Sequence, residues 1–149
     1  MHIWVDADAC PKLIKEILFR AAMRTNTPLT LVANSYLSYP SSPLIKSVKV
    51  ESGFDKADCY IVEHLHPKDL VITGDIPLAA DAIAAGAFVI NPRGEVYTAN
   101  DIKQRLNLRD MNEQLRSSGM KVGGPPSLSV KEKTAFANAL DKCLAKKLL

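Results

Sequence analysis

The sequence predicts an α/β fold: a three-layer sandwich in which helices cover both faces of a central, mainly parallel sheet, with further helices at the C-terminus. Three observations predict it. Short apolar runs, "IWV", "LTLVA", "LVI" and "AFVI", recur through the first hundred residues. Longer segments with helical apolar spacing lie between them, which is the pattern of successive βαβ units. Each run also leaves the core on a polar residue, at Asp6, Asn34, Thr73 and Asn91, as strands do when they deliver side chains to a sheet edge.

Taken in order, residues 2–5 read as a short buried strand. Leu13, Ile14, Ile17, Leu18 and Ala21 then give the apolar stripe of a helix. Asp8 is a candidate N-cap for that helix, and Pro11 is tolerated in its first turn, where a missing N–H has no partner to lose. "PLTLVANS" is a second strand. "YLSYPSSPLIKS" is a loop, since Pro40 and Pro43 block regular structure, and "VKV" a short third strand. "GFDKADCYIVEHL" reads as a helix opening after Gly53, with acids in its first turn where the dipole favours them. "DLVITGD" is a buried strand ending in an acid. "IPLAADAIAAG" is an alanine-rich helix closed by Gly86 just past its end, and "AFVINPRG" a strand that turns at Asn91–Gly94. After Glu95 the pattern becomes helical: "ANDIKQRLNLRDMNEQLRSSG", a Gly/Pro-containing "MKVGGPPSLS", and a terminal helix "VKEKTAFANALDKCLAKKLL". These are expected to pack on the sheet, so that 1–149 forms one domain with an α/β core over about 1–98 and a helical extension over about 99–149.

The chain has 149 residues, enough to bury a real core, and its 47% apolar and 23% charged content is that of a globular protein. No run approaches the ~20 apolar residues of a membrane span, and no basic stretch precedes an apolar one at the start, so a cytoplasmic protein is expected. Cys10, Cys59 and Cys143 are odd in number and fit no zinc spacing, which points to reduced thiols. The net charge of +3 is uneven: residues 1–100 carry 9 basic and 11 acidic side chains, residues 101–149 carry 10 and 5. A basic segment following an acidic one suits a polyanion bound near a metal, or reads as a solvated terminal helix. No glycine-rich phosphate loop is present, so no nucleotide cofactor is expected. Trp4 and Phe88 are expected in the core, and Cys10 has no histidine positioned to activate it.

In an open parallel sheet, ligands bind beyond the carboxyl ends of the strands. Asp6 and Asp8 follow the first strand, Asn34 the second, Thr73 and Asp75 the fourth, and Asn91 and Arg93 the last. Asp55 and Asp58, three apart, share one face of a helix start. If that start faces the same edge, four or five carboxylates converge there, an arrangement that costs free energy without a cation. Mg²⁺ and Mn²⁺ prefer oxygen donors and can activate a water against a phosphoryl group. Asp8, Asp55 and Asp75 read equally as helix caps, and Asp58 as a complement to the helix dipole.

The stretches "WVDADACP", "LVANS", "GFDKADCYIV", "TGDIPLAADAI", "NPRGEVYT" and "RDMNEQLRSSG", in that order over nearly the whole chain, resemble the YaiI/YqxD family of bacterial proteins. That family in turn is similar to the PIN-like and NYN group of metal-dependent ribonucleases. The resemblance implies a PIN-like sheet with catalytic Asp6, Asp58 and Asp75. It implies Mg²⁺ or Mn²⁺ held by Asp6, Asp8, Asp58 and Asp75, with Asp55 as a possible additional acid. Asn34, Thr73 and Arg93 would then orient ligands or RNA phosphates. Two positions depart from the pattern: Pro77 and Cys59 stand where PIN-like nucleases often carry further acids. The expectation is therefore a metal-dependent ribonuclease. The alternatives are an inactive RNA- or protein-binding module, favoured by the missing acids, and a haloacid-dehalogenase-like phosphatase. The phosphatase would use Asp6 as nucleophile, but Cys10 stands where that family has threonine. Oligomeric state is open.

Overall fold

The computed structural model describes residues 1–35, 37–51, 56–107 and 130–145. The strands are β1 (Ile3–Asp6), β2 (Leu29–Ala33), β3 (Ile45–Lys49), β4 (Leu70–Ile72), β5 (Phe88–Ile90) and β6 (Val96–Tyr97). The helices are α1 (Lys12–Thr25), α2 (Lys56–His64), α3 (Ile76–Ala84), a helix over 99–107 (α4) and α5 (Val130–Ala145). A 3₁₀ turn, Ala7–Ala9, joins β1 to α1.

The strands form one sheet in the order β3-β2-β1-β4-β5-β6. All neighbours run parallel except β5 and β6. Side chains alternate across such a sheet, and the sequence uses both faces. Ile3, Val5, Leu29, Leu31, Leu70, Ile72 and Ile90 enter one apolar layer with Ile14 and Leu18 of α1 and Phe136 and Leu140 of α5. Trp4, Val32, Val71 and Val89 enter the opposite layer with Ile61 of α2, Leu78 and Ala82 of α3, and Ile102 of α4. Strands buried on both faces need near-continuous apolar runs, which is why they stand out in the sequence.

Several expectations are corrected. The third strand starts at Ile45, inside the stretch read as a loop, because only the residues up to Pro43 are barred from pairing. β6, two residues long and antiparallel at the sheet edge, was not expected. Leu13 is 48% exposed and lies off the buried stripe of α1. Asp8 does not cap α1: the 3₁₀ turn intervenes, Pro11 is the N-cap residue in an extended conformation, and no side chain bonds to the helix start. Phe88 is only partly buried, whereas Trp4 is a core residue. Gly86, at φ 89°, follows the Ala85 C-cap of α3 as expected. All three cysteines are free thiols. Among the described residues no helix is long and apolar enough to cross a membrane. The predicted helix segment 108–119, the Gly/Pro-containing segment to 129 and residues 146–149 lie outside the described residues.

One polar anchor and one close backbone approach hold the frame. Asp69, only 5% exposed, accepts from the backbone N–H of His2 (2.9 Å), the backbone N–H of His66 (3.0 Å) and the Trp4 indole Nε1–H (3.1 Å). These bonds fix the entry of β4 against β1. At the other end of the sheet, Gly94 turns the chain at φ 90° where a Cβ would come within 2.5 Å of the Ala135 and Phe136 backbone. Only glycine lets α5 lie this close to the β5–β6 turn.

Candidate functional site

From β1 the chain crosses to β2 on one side, and β4 lies on the other, so the order of the strands reverses between β1 and β4. A doubly wound sheet opens a crevice at the carboxyl ends of such a pair. Asp6 ends β1, and Thr73–Asp75 follow β4, which puts both sequence-predicted acids at this point.

Thr73, 1% exposed, joins them. Its Oγ1–H donates to Asp6 Oδ2 at 3.0 Å, and the same oxygen accepts from the Asp75 backbone N–H at 3.0 Å. Asp75 is the N-cap of α3: its Oδ1 accepts from Leu78 N–H at 3.1 Å, with Pro77 in the first turn, where it has no bond to break. The cap role read from the sequence is real, and among the described residues it leaves Asp75 Oδ2 without a protein donor. Asp8, on the 3₁₀ turn, accepts from the Asn34 backbone N–H through Oδ2 at 2.8 Å, tying the end of β2 to the same edge. Among the described residues, each of the three acids is thus fixed through one oxygen and keeps the second.

The electrostatics agree with an anionic crevice. Burial pushes the Asp6 carboxyl above its ordinary value, the Thr73 hydrogen bond acts against that rise, and the charges of Asp75 and Asp8 add to it. Cys10, beneath the 3₁₀ turn, is pushed up to about 12, chiefly by burial, so it is a neutral core thiol and not a nucleophile.

The remaining candidates are elsewhere. Asp58 lies in an adjoining cleft of about 260 Å³ between α2 and α3, with Cys59, Glu63, Pro77 and Asp81. Asp55 lies outside the described residues. The Arg93 guanidinium is engaged by Glu132 of α5 at 3.2 Å. Asn91 is 6% exposed and builds the turn after β5, its Oδ1 accepting from Arg93 and Glu95 N–H and its Nδ2 donating to the Tyr97 hydroxyl. Among the described residues no three acid, histidine or cysteine side chains stand close enough to enclose an ion. The donor set is all oxygen and unevenly dry. It fits a hard cation that keeps several waters and takes one or two carboxylates, as Mg²⁺ does, and not a closed cage.

Sequence reasoning missed one feature of this region. Lys12 and Lys15, three apart in the first turn of α1, line a cleft of about 400 Å³ with Ser38, Tyr39 and Pro40 of the loop after β2. The i, i+3 spacing was legible, but its pairing with Tyr39 depends on how the loop folds back.

The family profile described as "Uncharacterized BCR, YaiI/YqxD family" matches residues 4–146. The chain is 68% identical over 146 residues to a UPF0178 protein of Legionella pneumophila strain Lens, covering 98% of this chain and 99% of the relative. It is 60% identical over 144 residues to a UPF0178 protein of Bordetella petrii (97% and 96% covered) and 61% identical over 144 residues to one of Shewanella sp. strain ANA-3 (97% and 96% covered). No solved structure matches the chain significantly.

Proposed function

The chain belongs to the YaiI/YqxD family, and from that premise we propose that it is a divalent-metal-dependent hydrolase of phosphodiester bonds, acting on RNA with Mg²⁺ or Mn²⁺. The observation that carries this reading is the set of half-used carboxylates at the strand-order reversal: Asp6, Asp75 and Asp8 are each oriented through one oxygen and, among the described residues, retain another. Asp6 and Asp75 would hold the ion, with Asp8 as a partner to one of its waters. Asp58 would add negative charge from the adjoining cleft, on the side of α3.

When bound, such an ion supplies an activated water and neutralises charge on a phosphoryl oxygen. The protein's own groups set up the site beforehand. Thr73 favours the charged form of Asp6 against the effect of burial and keeps it aligned with Asp75. The N-terminus of α3 holds Asp75 through the Leu78 N–H. The Asn34 N–H holds Asp8 and, with it, the exit of β2. Arg93, engaged by Glu132, is assigned no phosphate here. Asn34 contributes through its backbone.

A second reading, a module that binds RNA or protein without cutting, is favoured by the absence, among the described residues, of three acids grouped closely enough to enclose an ion. Incubation of end-labelled RNA with the protein separates the two, with Mn²⁺, with Mg²⁺ or with EDTA. Metal-dependent cleavage that disappears in both Asp6→Asn and Asp75→Asn supports the hydrolase. Asn preserves the α3 cap, so loss in Asp75→Asn reports on charge. Intact RNA at high protein and metal, or equal cleavage by Asp6→Asn, rejects it.

A further inference from the structure

We infer that the cleft between the first turn of α1 and the loop after β2 is the path of a single-stranded nucleic acid, with Lys12 and Lys15 on its phosphates and Tyr39 stacked on a base. The inference deepens the hydrolase reading and rests on it for the identity of the substrate.

The cleft, about 400 Å³, is within the range of real ligand sites, ~300–1,000 Å³. One wall is α1, with Lys12 exposed and Lys15 half-buried. The other is the loop at Ser38–Pro40, and the buried ring of Phe19 lies between. Neither lysine forms an ion pair among the described residues, although Glu16 shares their wall, so both ammonium groups remain available to an anion. Tyr39 is 45% exposed, an aromatic face left in water next to a proline that stiffens its loop. Paired cations and an open ring are the two elements of a single-strand groove: the cations follow the backbone and the ring accepts any base. A duplex hides its base faces, so the ring selects unpaired strands.

The cleft also adjoins the acids. Lys15 and Asp6 both act on the charge of the Cys10 thiol, so both lie in its neighbourhood. The Asp8–Asn34 bond ties the start of the loop that carries Tyr39 to the anionic crevice. A strand seated on Lys12, Lys15 and Tyr39 therefore continues toward Asp6. A cationic cleft leading to an anionic crevice is the charge order needed to hold a polyanion while one phosphate meets a metal.

The test is fluorescence anisotropy of a short fluorescein-labelled single-stranded RNA in EDTA, where no cleavage occurs. Lys12→Ala/Lys15→Ala should weaken binding and flatten the plot of log affinity against log salt by about 1.4, at roughly 0.7 per phosphate contact on single strands. Tyr39→Ala should weaken binding by about 5- to 150-fold, the range for one stacked base, with Tyr39→Phe close to wild type. A duplex of the same sequence should bind more weakly. Lys12 and Tyr39 are exposed and Lys15 is half-buried, and circular dichroism checks the fold. Unchanged affinity in the lysine and Tyr39 variants overturns the inference and moves the path to the basic C-terminal segment. Binding of polyglutamate but not RNA overturns it in favour of an acidic protein partner. RNA binding that follows these expectations without Mn²⁺-dependent cleavage sinks the hydrolase reading and leaves the cleft assignment standing, because binding and turnover are read separately.

Discussion

Replacing Thr73 by valine keeps the shape of a fully buried side chain and removes the hydroxyl that joins Asp6 to Asp75. The bond to Asp6 Oδ2 is made to an ionised acceptor and is worth about 1.5–3 kcal/mol, and the bond from Asp75 N–H about 0.5–1.5 kcal/mol. Water recovers part of the loss, because Asp6 is only half-buried. The expected cost is about 2–3 kcal/mol at neutral pH. For a chain of this size that lowers Tm by roughly 4–12 °C, at about 2–4 °C per kcal/mol. Urea unfolding measures the cost directly. Thr73→Ser retains the hydroxyl and should lose about 1 kcal/mol or less. In an Asp6→Asn background the charged acceptor is gone, so Thr73→Val should cost only about 1 kcal/mol, a coupling of about 1–2 kcal/mol between the two residues. A cost below about 0.5 kcal/mol, or the same cost in both backgrounds, would refute the role given to Thr73.

Three further outcomes follow from the frame. Gly94→Ala should destabilise by about 2 kcal/mol or more, since it forces an alanine to φ 90° and into the α5 backbone; near-wild-type urea stability would mean that α5 does not dock there. Asp69→Ala should cost about 3–5 kcal/mol by stranding three N–H groups that converge on one buried carboxylate, and a loss under 1 kcal/mol in the same assay speaks against that anchor. His2 stacks on Trp4 and shares a 2.7 Å hydrogen bond with Thr30, and burial lowers its pKa. The neutral form is favoured in the folded state, so this contribution is complete above the ordinary histidine value of 6.5 and declines as the pH falls below it. Thermal melts should show that decline in wild type and a flatter profile in His2→Gln; equal acid slopes would rule the residue out as the source.

Strands β1, β2, β4 and β5 were legible because burial on both faces demands an unbroken apolar run, and α3 was legible because Asp75 and Gly86 mark its two ends. Ile45–Ser47 was hidden by the proline before it, and β6 is too short to carry a period. The meeting of Asp6, Thr73 and Asp75 could be anticipated from strand ends alone. The job of Asp8 could not, because it depends on a 3₁₀ turn and on a backbone N–H 26 positions away. Asp69 opens the strand read in "DLVITGD", but its anchoring role was not legible: two of its three partners, His2 and Trp4, are more than 60 positions distant, and no local pattern announces them. Arg93 shows the same limit, since its engagement by Glu132 spans 39 positions.

The claim that matters most is that the carboxylates at the β1–β4 junction bind a divalent ion. Titration with Mn²⁺, followed by the loss of the free-ion electron paramagnetic resonance signal, tests it without reference to turnover. The account predicts saturable Mn²⁺ binding, displaced by Mg²⁺ and weakened at least tenfold in both Asp6→Asn and Asp75→Asn, with the fold of each variant intact by circular dichroism. An unbound Mn²⁺ signal at millimolar ion, or binding that neither substitution alters, would contradict it.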